Sequence, residues 1–137
     1  MPEADATKRF TLAKGERLKS RRAFSYLFEH GFSMRVGVLK VFYAFDPPPA
    51  LCHRPVLAAF SAPKRRFKRA VDRNRLKRRM REAYRLHQYI LHQPLQQHEQ
   101  RLLVLFSYQH RDLADYDRIR RSLVKALHLL ADARPNG

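Results

Sequence analysis

The chain has 137 residues, with 29 Lys plus Arg against 12 Asp plus Glu, a net charge of +17 and a pI near 11.1. Hydrophobic residues make up 45% and aromatics 11%, which excludes a disordered basic tail and leaves one folded, strongly cationic domain whose expected partner is a polyanion. Cys52 is the sole cysteine, so an internal disulfide and a Cys-based zinc site are excluded.

Residues 1–15 read as a flexible leader and residues 16–133 as a single domain. Met1 to Arg9 mixes acids with bases and has no apolar run, so no secretory signal is expected. The apolar stretches are of strand length and too short to cross a membrane. A reducing cytoplasm is the expected compartment.

From Ser20 to His30 the residues Ala23, Phe24, Leu27 and Phe28 recur at helical spacing, and Gly31 stops the helix. Met34 to Phe45 reads as strand, with Leu39, Val41, Tyr43 and Phe45 as the better core face and Lys40 and Phe42 on the other. Asp46-Pro47-Pro48-Pro49 must be a loop. Arg54 to Ala62 reads as a second strand forming a hairpin with the first across that loop, and Pro63 ends it. Ala70 to about His92 lacks Gly and Pro. Its Leu76, Met80, Ala83, His87 and Ile90 form one apolar stripe. Gln93 to Gln100, broken by Pro94, reads as a loop. Leu102 to Tyr108 is a strand apolar enough to be central. Asp115 caps a last helix with a stripe of Ile119, Leu123, Ala126, Leu127 and Leu130. The order α-β-β-α-β-α makes the class α+β, a small mixed sheet packed with helices.

The charge is concentrated. Twelve basic residues and two acids, Asp72 and Glu82, lie between Lys64 and Arg85, so this segment carries +10 of the +17. On a helical wheel Asn74, Lys77, Arg78, Arg81 and Arg85 fall opposite the Leu76/Met80/Ala83/His87 stripe. Like charges at four-residue spacing repel, and a polyanion relieves them. A membrane surface fits poorly, because the opposite face is needed for the core. Arg-rich composition suits bidentate phosphate recognition. Lys40 beside Phe42 on an open sheet face would make a platform for single-stranded bases. Phe24 and Phe28 point to one side of their helix, and core packing and base stacking are both open for them.

No residue pattern supports catalysis by the protein. The His residues lack an HExxH arrangement, and His92, His98 and His110 read as surface residues in or beside loops. The acids form no cluster for two metals, and no Gly-rich phosphate loop is present. No catalytic or metal-binding residue is therefore assigned. An RNA-binding scaffold such as a ribosomal protein, or a DNA-binding architectural protein, has a similar composition.

The stretch PKRRFKRAVDRNRLKRRMREAYR, centred on Arg73-Asn74-Arg75 and Leu76-Lys77-Arg78, closely resembles the signature of the bacterial ribonuclease P protein subunit. Arg17-Leu18-Lys19, Phe24, Phe28 and Gly31 resemble that family's first helix, and the likeness covers about residues 10–130. It implies the order α-β-β-β-α-β-α, with two short strands within 34–45 and a left-handed β-α-β crossover. It also implies a catalyst made of RNA, which uses magnesium ions to activate water against the phosphodiester at the 5′ end of mature tRNA. On this likeness the protein alone is expected to bind no cofactor. It is expected as a monomer, one per RNA, with the ribonuclease P RNA and precursor tRNA as partners.

By position, Arg65, Arg66, Arg69, Arg75, Lys77, Arg78 and Arg81 would face the catalytic RNA. Phe24, Phe28, Lys40, Phe42, Arg73 and Asn74 would line the cleft for the precursor's 5′ leader. Two positions depart from the pattern. Lys68 stands where the family usually has Gly, so the turn there is open to differ, and Ser20 stands where a basic residue is often found.

Overall fold

The computed structural model describes residues 17–135; the leader expected over 1–15 lies outside them. Helix α1 (Arg21–His30) is followed by strands β1 (Phe32–Val36), β2 (Leu39–Phe45) and β3 (Val56–Ser61). Helices α2 (Ala70–His87) and α3 (Tyr89–Gln97), strand β4 (Leu102–Tyr108) and helix α4 (Tyr116–Ala133) complete the chain. This is the expected α+β order, with the long helix expected from Ala70 followed by a second, shorter one.

Four strands form one mixed sheet in the order β1-β2-β4-β3. Strand β2 runs antiparallel to both β1 and β4, and β3 runs parallel to β4. The 34–45 segment does hold two strands, joined at Gly37-Val38. The expected hairpin between that segment and the 54–62 strand does not form, because β4 lies between them. All seven β4 residues are buried, so the strand needs a neighbour on each side and a layer on each face. Placing β3 beyond it leaves β3 at an edge, where Leu18 N–H donates to the Ala58 carbonyl at 2.9 Å.

Each face of the sheet has its own core. On one, Leu39, Val41, Val104 and Phe106 meet Leu76, Met80 and Ala83 of α2 and Ile119, Leu123, Ala126, Leu127 and Leu130 of α4. On the other, Ala44, Leu57, Leu103 and Leu105 meet Ala23 and Leu27 of α1, with Leu18 and Cys52 at the margin. The alternation along β2 divides Val41 and Phe42 between these two cores as its sequence pattern predicts.

The 93–100 segment is not wholly loop. Helix α3 carries Pro94 inside it, and Leu91 and Leu95, one turn apart, are both completely buried in the large core. That burial outweighs the hydrogen bond that the proline cannot make. The chain leaves α3 through His98 N–H to the Pro94 carbonyl, 3.2 Å, with Glu99 in the left-handed region at φ 53°. His92, expected at the surface, is instead packed in this helix. Its Nε2 is 2.9 Å from the Tyr84 hydroxyl, and burial pushes its pKa down to about 4.

Candidate nucleic-acid interface

Helix α1 is too short to cover its face of the sheet. It seals the half at Ala44, Leu57 and Leu103. Strand register then gives the row that it leaves: Ser61 beside Ser107, Ser107 beside Lys40, and Lys40 beside Arg35. Paired residues share a face, so this row forms the floor of a cleft walled by α1. Its polar groups are tied to one another. Ser61 Oγ lies 3.1 Å from Ser107 Oγ, and Gln109 Nε2 donates to Ser107 Oγ at 3.1 Å.

The wall is aromatic. Phe24 and Phe28 lie one turn apart on α1 with rings nearly parallel, 6.4 Å between centroids, and Phe28 meets Phe42 of β2 edge to face at 5.3 Å. Lys40 Nζ sits 5.2 Å from the Phe42 ring centre, a cation over an aromatic face. Phe28 nonetheless remains 56% exposed. Phe24, Phe28, Phe42 and Lys40 are thus brought together. Ser20, in place of a basic residue, caps α1 by accepting from Ala23 N–H at 3.3 Å. Gly31 lets the chain turn out of α1, since a Cβ there would lie 2.4 Å from the Leu27 carbonyl oxygen and 2.6 Å from that of Tyr43.

Beyond Ser61 the chain passes through residues 62–69 into α2. Phe67 anchors this basic loop by burying its ring against the large core, 5.7 Å from the Tyr108 ring. Lys64, Arg65, Arg66, Lys68 and Arg69 around it all remain exposed. Lys68 adopts no positive φ, so its backbone does not require glycine. Arg73 and Asn74 occupy the first turns of α2. The Arg73 Nη1 donates to the Phe67 carbonyl at 2.7 Å and to the Lys68 carbonyl at 2.9 Å, so this guanidinium holds the loop.

Along α2, Asn74, Arg78 and Arg81 are exposed on the side opposite the buried Leu76, Met80 and Ala83, Arg75 is exposed on the flank, and Lys77 is half-buried. Arg85 differs from the rest of the stripe because Glu82 pairs with it, which lowers the carboxyl's pKa and raises the guanidinium's. Arg79 turns inward and donates to the Ala114 carbonyl ahead of α4. Helix α2 has no side-chain cap at Arg69, so the positive end of its dipole adds to the charge of the loop.

Sequence reasoning missed two parts of this arrangement. Arg35 lies directly opposite Lys40 on the cleft face and is exposed. Its signal was the alternation Ser33, Arg35 along β1, which became readable only with the register. Phe67 was the second, and a lone aromatic in a basic run was its only mark. Among the described residues no group of three or more His, Cys, Asp or Glu is placed to hold a metal ion. None of the described helices is long and apolar enough to cross a membrane.

The sequence model of the Ribonuclease P family matches residues 12–131. The ribonuclease P protein component of Porphyromonas gingivalis is 34% identical over 127 residues, 93% of this chain and 91% of the relative. That of Chlorobaculum tepidum is 43% identical over 81 residues, covering 58% and 53% of the two chains. The fold is similar to the RNase P protein of Staphylococcus aureus, with a TM-score of 0.64, 19% identity and coverage of 83% and 94%. That of Thermotoga maritima gives a TM-score of 0.64, 19% identity and coverage of 83% and 96%. With a family match across nearly the whole domain and a relative of this identity and coverage, the chain belongs to the ribonuclease P protein component family.

Proposed function

We propose that this protein is the subunit of ribonuclease P that binds the catalytic RNA through α2 and its entry loop and holds the 5′ leader of precursor tRNA in the aromatic cleft. The observation that carries the reading is Phe28. A phenylalanine held edge-on to Phe42 yet 56% exposed, with Lys40 beside it, is suited to stacking an unpaired base and meeting its phosphate. A scaffold protein that only braces folded RNA has no use for such a surface next to its basic helix.

In this reading Phe24, Phe28, Phe42, Lys40 and Asn74 contact the leader, and Arg73 shapes the cleft's end through the loop it holds. Arg65, Arg66, Arg69, Arg75, Lys77, Arg78 and Arg81 meet phosphates of the catalytic RNA. Bond cleavage belongs to that RNA, with magnesium ions activating the water that attacks at the mature 5′ end. The protein's side chains bind and orient, with one copy per RNA in the cytoplasm.

The deciding experiment is cleavage of a precursor tRNA at low magnesium by the cognate ribonuclease P RNA, with and without the protein. Restored cleavage at the mature 5′ end is expected, and cleavage unchanged by the folded protein would overturn the reading.

A further inference from the structure

Helix α4 carries a second stripe of charge outside the basic segment of α2. Arg118, Arg121, Lys125 and His128 follow one another at steps of three or four residues and are all exposed, opposite the buried Ile119, Leu123, Ala126, Leu127 and Leu130. Arg118 and Arg121, and Arg121 and Lys125, are like-charged neighbours on the helix surface. Neutralisation is slight. Asp117 is shared between Arg121, at 3.2 Å, and Arg120, at 2.6 Å, and the Arg118 guanidinium goes to His110 Nε2 at 3.2 Å. Among the described residues no carboxylate lies within ion-pair distance of Arg118 or Lys125.

Two placements indicate what the stripe faces. Helices α2 and α4 pack on the same side of the sheet, joined by Arg79 to the Ala114 carbonyl. The Tyr116 phenol lies within electrostatic reach of Arg85 on α2 and Arg120 on α4. Each helix buries one stripe against that face of the sheet, so the exposed basic residues of α2 and of α4 both point away from the sheet on the same side of the molecule. The aromatic cleft, by contrast, lies on the other face of the sheet, against α1, so a strand lying in it does not reach α4. From Arg118 to His128 the stripe extends about 15 Å, a span of several phosphates along a nucleic-acid strand.

We propose that Arg118, Arg121 and Lys125, with His128 at the stripe's end, form a second contact surface for the phosphate backbone of the catalytic RNA, separate from the leader cleft. This rests on the reading that the α2 face meets that RNA. It assigns α4 a binding role besides its part in the core.

The test is binding of the full chain to its cognate ribonuclease P RNA over a series of salt concentrations. Four proteins are compared: the parent, R75Q, the triple variant R118Q/R121Q/K125Q, and the charge-preserving R118K/R121K/K125R. The neutral triple variant should reduce the slope of log affinity against log salt by about two to three, near 0.9 for each phosphate that is no longer neutralised. The charge-preserving variant should restore most of it, a recovery that a merely structural role would not give. A triple-variant slope equal to the parent's, with R75Q reduced, would overturn the second surface while leaving the α2 reading intact. A reduced slope that the charge-preserving variant does not restore would also overturn it. A parent that binds this RNA no better than an unrelated RNA of equal length would instead overturn the reading beneath.

Discussion

Phe28 and Phe42 meet edge to face across the gap between α1 and β2, 5.3 Å between ring centres, while most of the Phe28 surface stays in water. The pair sits where α1 stops covering the sheet, so one ring is anchored by the other and still presents a free face. Exposing that much aromatic surface forgoes burial energy, which a stacked base would recover.

Phe28→Ala should therefore act on binding more than on folding. With a leader-bearing precursor the loss should be about 1–3 kcal/mol for one stacked base, and with mature tRNA close to nothing. Affinity measurements of the assembled holoenzyme for the two RNAs check this. Equal losses for both would assign Phe28 to packing alone.

Arg73 and Arg75, two residues apart on α2, should separate cleanly. Arg73 donates to two loop carbonyls, so Arg73→Ala leaves those acceptors without their charged donor and should cost about 1–2 kcal/mol of stability in urea unfolding. Arg75 is exposed on the flank of α2. Arg75→Ala should leave the unfolding midpoint unchanged and reduce the salt slope of RNA binding by about one. A midpoint shift for Arg75→Ala would place that side chain in the fold.

The basic helix was legible because it depends on spacing within one element. Leu76, Met80 and Ala83 mark the buried side of α2, and the charges opposite them follow from geometry. Spacing put Phe24 and Phe28 on one side of α1 but left core packing and base stacking open, and only the family resemblance pointed them to a cleft. Pairing between strands was less legible. Sequence order suggested that the strand before Asp46-Pro47-Pro48-Pro49 would pair with the one after it, yet the apolar β4, distant in the chain, outcompetes β3 for β2's edge. The tight turn at Gly37-Val38 also went unread within a segment taken as one strand, so Arg35 could not be placed opposite Lys40. Helix α3 was hidden for a different reason. Pro94 and the glutamines gave a loop signal, and the anchoring pair Leu91 and Leu95 is a single turn of pattern, too little to read against them.

The β1–β2 turn offers a backbone test. Gly37 has φ 57°, and a Cβ at this position would lie 2.2 Å from Ser122 Oγ, the same oxygen that accepts from Val38 N–H at 3.2 Å. Gly37→Ala meets both the left-handed penalty and that clash, so unfolding free energy should fall by at least about 1 kcal/mol. The pairing of Val36 with Leu39 would loosen, seen as faster amide exchange at this end of the sheet. A Gly37→Ala protein as stable as the parent would mean that the turn relaxes without disturbing α4.

His92 makes stability depend on acidity. In the folded chain burial lowers its pKa to about 4, whereas in the unfolded chain it titrates near 6.5. Between these values the unfolded state holds more proton than the folded state, so acid favours unfolding. The stability present above pH 6.5 should drain away as pH falls toward 4, by at most about 1.4 kcal/mol for each pH unit. Urea unfolding of the parent and of His92→Gln at pH 7.5 and 4.5 isolates the contribution. The parent should lose more stability between the two pH values than the variant, because the glutamine keeps a polar group near Tyr84 but cannot titrate. An equal loss in both proteins would show that His92 does not carry this dependence, and the acid sensitivity would then lie with the paired carboxylates Glu82 and Asp117, whose pKa values are lowered by Arg85 and Arg120.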